Sequence, residues 1–137
     1  MWKITLFVSI IIAISLNSAY ASSNYHTAPK TFHIAESPYV NQVSVVSAVN
    51  FWKSYGFNLE EKSQNADVNL KFVNDCFQDY AGYYDQNNRL IIICSSYGHE
   101  AFSTPVESKI LEHELGHFLG FTHTSPMPIM QYHALVI

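Results

Sequence analysis

The 137-residue chain carries seven basic and eleven acidic side chains, a formal net charge of −4, and is 48% hydrophobic and 15% aromatic. That acidic balance, with no cluster of Lys or Arg, argues against nucleic acid or an anionic membrane as the main partner. No internal repeat or low-complexity tract interrupts it.

Residues 1–21 read as a signal peptide. Lys3 gives a positive start, an apolar run spans residues 4–16, and Ala19-Tyr20-Ala21 forms a small-x-small cleavage site. The run is short for a membrane span, and no cysteine lies near the cleavage site to carry a lipid, so no stable membrane anchor is expected. An uncleaved N-terminal anchor is the alternative. Cleavage after Ala21 would leave residues 22–137 as a single, monomeric domain, secreted or periplasmic. It would carry six basic and eleven acidic side chains, a net charge of −5.

After a polar lead-in over residues 22–30, residues 31–36 alternate as a first strand, with Phe32 and Ile34 on one face. Apolar residues at Val45, Val46, Val49, Trp52 and Tyr55 follow a helical rhythm, with Asn41 as N-cap and Gly56 as the stop. Residues 57–61 make a short second strand. Residues 66–73 make a clearer third, with Val68, Leu70 and Phe72 on one side. Strands over 80–84 and 90–94 flank a turn at 85–89, and residues 95–103 read as a loop. The order implies an α/β (α+β) sandwich, a mixed sheet on one side and helices on the other. Cys76 and Cys94, an isolated pair, suit one disulfide in an exported protein; two buried thiols are the alternative.

The last helix starts at Thr104. Thr104 and Glu107 have capping-box spacing, with Pro105 at the first helical position. Val106, Ile110, Leu111, Leu115 and Phe118 give it a broad apolar face. His113 and His117, at i and i+4, share one face and can address one metal ion, a half-site that suits Zn²⁺. Glu114 is angled to act as general base on water beside that metal. On a straight helix, His123 would lie about 9 Å beyond His117. The chain must double back, and Gly120 permits the left-handed turn. Three histidines leave a fourth zinc position open, as catalytic sites do. A plain amphipathic helix with two solvent histidines has no need of Gly120 or His123.

HELGHFLGFTH, residues 113–123, resembles the extended His-Glu-x-x-His-x-x-Gly-x-x-His motif of the metzincin zinc peptidases. Pro128-Ile129-Met130-Gln131-Tyr132 resembles their methionine turn, with Met130 a better candidate than Met127. Met130-x-Tyr132 is similar to the astacin and serralysin branches, and the short gap from His123 to Met130 to the matrixins. The resemblance implies a zincin-like sandwich: a mostly parallel sheet, an antiparallel edge strand, an active-site helix and a C-terminal subdomain. Relatives add a helix after the methionine turn. This chain ends seven residues past Met130, so a very short C-terminal subdomain is expected.

The implied function is a secreted zinc metalloendopeptidase acting through a zinc-activated water. His113, His117 and His123 would be the metal ligands and Glu114 the base. Tyr132 would stabilise the oxyanion, and the edge strand over residues 80–84 would receive a peptide or protein substrate. An exported zinc-binding module that does not cut its partner is the alternative. Asp79, Asp85, Asn87 and Asn88 offer oxygens to a structural calcium, but an ordinary turn explains them better. His26, His33, His99 and His133 lack ligand spacing.

Overall fold

The computed structural model describes residues 29–76, 80–98 and 100–131. The expected leader over residues 1–21, Asp79, Tyr132, His26, His99 and His133 lie outside them. β1 (Lys30–Ile34), α1 (Gln42–Ser54), β2 (Leu59–Glu61), β3 (Val68–Asp75), β4 (Gly82–Asp85), β5 (Leu90–Tyr97), β6 (Glu100–Ala101) and α2 (Thr104–Phe118) follow in order. A 3-10 turn, Pro128–Met130, comes last. The strands form one sheet ordered β2-β1-β3-β5-β4, with β6 on β5. β2, β1, β3 and β5 run parallel, and β4 and β6 pair antiparallel with β5. This is the mixed sheet that the element order implies, and it is mostly parallel as the resemblance implies.

Period-two patterning decides which face the helices cover. Val68, Leu70 and Phe72 of β3 are buried while Asn69 and Lys71 are exposed, and Ile91 and Ile93 of β5 join the same core. Val45, Ala48, Val49 and Trp52 of α1 and Ile110, Leu111, Leu115 and Phe118 of α2 complete it. Val46 and Tyr55, expected on the apolar face of α1, are 56% and 41% exposed instead. The buried stripe is Ser44, Val45, Ala48, Val49 and Trp52, and α2 is tied to it where Ser44 and Trp52 donate to the Thr104 and Glu112 carbonyls. Asn41 caps α1 by accepting from the Val43 and Ser44 amides at 3.1 and 3.3 Å, and Gly56, at φ 91°, closes it.

Strand boundaries differ from the sequence reading: β1 spans Lys30–Ile34 rather than 31–36, β2 begins at Leu59 rather than 57, and β3 runs Val68–Asp75 rather than 66–73. β4 begins at Gly82 rather than Tyr80. β5 runs on to Tyr97, and β6 occupies part of the expected loop. The capping box at Thr104 is not formed. Ser103 is the N-cap, without a side-chain bond, and Thr104 already lies in the helix. The Thr104 hydroxyl instead accepts from Asn41 Nδ2 at 3.2 Å, tying the two helix starts together. Glu107 turns inward to the hydroxyls of Ser44 and Ser95. The Cys76–Cys94 disulfide joins the end of β3 to β5.

Gly82 sets how close β4 comes to α2. A Cβ there would lie 2.8 Å from Ile110 Cγ2 and 3.0 Å from the Ile92 carbonyl oxygen. Without one, the end strand of the sheet lies flush against the helix that carries the histidines.

Candidate metal centre

α2 ends at Phe118 in a Schellman motif. Gly120, at φ 101°, donates to the His117 carbonyl at 3.0 Å, and Phe121 donates to Gly116 at 2.9 Å. The chain thereby reverses without a Cβ penalty. A small turn follows. Thr122 N–H donates to Ser125 Oγ at 2.9 Å, and Ser125 N–H donates back to the Thr122 carbonyl at 2.9 Å. His123 lies within this turn, facing α2.

The three imidazoles converge. Nε2 of His113, His117 and His123 lie 3.1 Å from one another in every pairing. Their outer nitrogens explain why. His113 Nδ1 is 2.8 Å from the Ile129 carbonyl oxygen, and His117 Nδ1 is 3.0 Å from that of Phe121. A carbonyl can only accept, so both Nδ1 atoms donate, and in the neutral imidazoles both Nε2 atoms then present lone pairs. Lone pairs gathered this closely repel unless a cation lies among them.

The donor set fits a tetrahedral zinc ion. Ligand bonds of about 2.0–2.1 Å place neighbouring nitrogens about 3.3 Å apart. The same three residues form the one group of His, Cys, Asp and Glu among the described residues able to share an ion. All-imidazole donors suit zinc over calcium or magnesium, which prefer oxygen.

Glu114 sits beside them, only 8% exposed. Burial pushes its carboxyl up to about 7, partly offset by a hydrogen bond from the Tyr84 backbone of β4. A cleft of about 640 Å³ opens onto His113, Glu114, His117 and His123 between β4 and the 3-10 turn. Its walls are mainly apolar: Tyr80, Ala81, Tyr83 and Tyr84, then Ile110, Pro128 and Ile129. Met130 is fully buried, its sulfur packed where α2 has Gly116.

Sequence reasoning grouped His113, Glu114, His117, His123 and Met130, and all five meet in this region. It missed Phe51, Tyr55 and Lys109, which line the cleft's far side. Tyr55 shares the apolar rhythm of α1, so nothing in the sequence marked it as a cleft residue. It also missed the carbonyls of Phe121 and Ile129, since backbone atoms leave no trace in residue types. Asp85 is absorbed by its own turn, accepting from the Asn88 backbone and side chain at 3.1 and 2.7 Å. His33 Nδ1 pairs with the Lys62 carbonyl at 3.0 Å.

Over the described residues, fold and site define a mixed α/β domain with a mostly parallel sheet, two helices and a three-histidine cluster suited to a metal ion. The fold is similar to that of the solved structure of myroilysin, with a TM-score of 0.53 and 18% identity. The match covers 74% of this chain and 52% of that one, so this chain spans about half of myroilysin's length. No protein-family model and no curated protein matches the sequence. No described helix is long and apolar enough to cross a membrane.

Proposed function

We propose that this chain is an exported, zinc-dependent endopeptidase of the metzincin type. The observation that carries the reading is three convergent Nε2 atoms, 3.1 Å apart, beside a buried carboxyl in an apolar cleft. His113, His117 and His123 would hold the ion, and zinc held there supplies Lewis acidity toward water and a peptide carbonyl.

The chain's own groups do the remaining work. Glu114, with a carboxyl pushed up to about 7, exchanges protons readily near neutral pH. It takes the proton of the attacking water and delivers it to the departing amine. The apolar walls exclude solvent, which strengthens each electrostatic contact inside. β4 ends the described sheet, and its outward backbone groups can pair with an extended peptide irrespective of side chains. Tyr132 is assigned the oxyanion role by its place two residues after Met130. The signal-like leader and the Cys76–Cys94 bridge agree with export.

The test is cleavage of an unfolded protein by the purified, zinc-loaded chain, its loss with a chelator and its return with zinc. One bound zinc without cleavage would favour the non-catalytic binding module.

A further inference from the structure

We propose that Trp52 of α1 is a positioning residue for the metal centre, holding the turn whose carbonyl orients His117. The inference rests on reading the three-histidine cluster as a metal site. Trp52 is fully buried, and its ring braces the site's underside at three points. Its Nε1–H donates to the Glu112 carbonyl at 2.8 Å, one residue before His113. Its Cζ2 edge faces Gly116, where a Cβ would come within 2.8 Å of it. Its face stacks on Phe121, with centroids 5.1 Å apart and planes 21° from parallel. Phe57 closes the cluster edge-on, 5.7 Å from Trp52 and 5.6 Å from Phe121.

Those contacts bracket both helical histidines. Glu112 precedes His113, Gly116 precedes His117, and Phe121 carries the oxygen that receives the His117 Nδ1 proton at 3.0 Å. The oxygen belongs to a turn that runs out of the helix, where Gly120, Thr122 and His123 are exposed. Such a turn frays unless something inside grips it. The Phe121 ring is the grip, and Trp52 is what it grips. The indole hydrogen bond also fixes the tryptophan's own rotation, so the stacking plane is set by the backbone of α2. Sequence distance hides this coupling, since Trp52 lies 65 positions before His117. Outer partners that fix a ligand histidine alter metal affinity by about 10- to 100-fold when removed.

Three variants of the full chain separate positioning from plain core packing. Trp52→Leu removes both the stack and the hydrogen bond. Trp52→Phe keeps an aromatic face. Phe121→Leu breaks the stack from the other side and serves even where Trp52→Leu fails to fold. Two measurements are made on each. One is the His117 tautomer in metal-free protein at about pH 8, where an ordinary imidazole is neutral, read by long-range proton–nitrogen NMR. The other is zinc affinity by chelator competition, with Val68→Ala in β3 as a control for lost stability.

Trp52→Leu and Phe121→Leu should each convert His117 from one Nδ1–H tautomer to a mixture and weaken zinc about tenfold. Trp52→Phe should recover most of both, and Val68→Ala should change neither. Folded Trp52→Leu or Phe121→Leu protein with an unchanged His117 tautomer and unchanged zinc affinity would overturn the assignment. A wild-type chain that binds no zinc would instead sink the metal reading. The tautomer measurement would still decide whether Trp52 orients His117.

Discussion

Met130 fills the space that a side chain at Gly116 would need. A Cβ at 116 would lie 3.1 Å from Met130 Cε and closer still to its sulfur. The 3-10 turn is thereby pressed against α2, and its Ile129 carbonyl reaches His113 at 2.8 Å. Gly116→Ala should therefore destabilise the protein despite the better helix propensity of alanine. Propensity returns about 1 kcal/mol, while overpacking costs about 1–3 kcal/mol. Thermal unfolding should show a lowered Tm, and zinc affinity should fall with it as the His113 partner moves. A stabilised variant with unchanged zinc binding would mean the turn yields freely.

Glu107 predicts a pH effect away from the metal. It is 3% exposed, and its Oε1 is buried without a hydrogen-bond partner among the described residues. Burial raises its pKa, with the Ser44 and Ser95 hydroxyls pulling the other way. A folded carboxyl with a raised pKa binds its proton more tightly than the unfolded chain does. Its favourable contribution is full below the unfolded value, about 4.3, and is lost as pH rises through the folded value. Glu107→Gln should flatten that loss and stabilise the protein by about 1 kcal/mol at pH 8, with little change at pH 4. Denaturant titrations at the two pH values decide it, and equal effects at both would contradict the assignment.

Gly82→Ala should act on the cleft. The new methyl meets Ile110 and the Ile92 backbone, so β4 must move off α2. Displacements near 1 Å can cost about 100-fold in rate. Peptide cleavage should drop by at least tenfold while bound zinc stays at one per chain. Unchanged kinetics would show that β4 does not position substrate.

Zinc removal should lower stability in a concentration-dependent way, because the ion would bind only the folded arrangement. At about a thousandfold excess over Kd the linkage is worth about 4 kcal/mol. A chelator titration followed by calorimetry should show Tm falling and then recovering on zinc addition. A Tm indifferent to zinc would argue that the three histidines hold nothing.

Much of this architecture was legible in the sequence, for physical reasons that also mark where the reading stopped. Val68, Leu70 and Phe72 announce β3 because a half-buried strand alternates, and Gly120 announces the reversal because few other residues adopt φ near 100°. His113, His117 and His123 declared their convergence through helix periodicity plus that turn. What failed was tertiary in origin. Thr104 and Glu107 have capping-box spacing, yet Asn41 claims the first and the interior claims the second. β6 is too short for a pattern of its own. Trp52 and Tyr55 share the apolar rhythm of α1, and only the packed structure separates the buried ring beneath the histidines from the exposed one at the rim of the cleft.

Catalysis by Glu114 at a zinc centre is tested by comparing wild type with Glu114→Ala for cleavage of an unfolded protein, zinc content being measured on both. Cleavage is expected from the wild type, with a rate lower by a factor of about 100 or more in the variant and one zinc in each. Full activity in Glu114→Ala, or no cleavage by zinc-loaded wild type, would contradict that assignment.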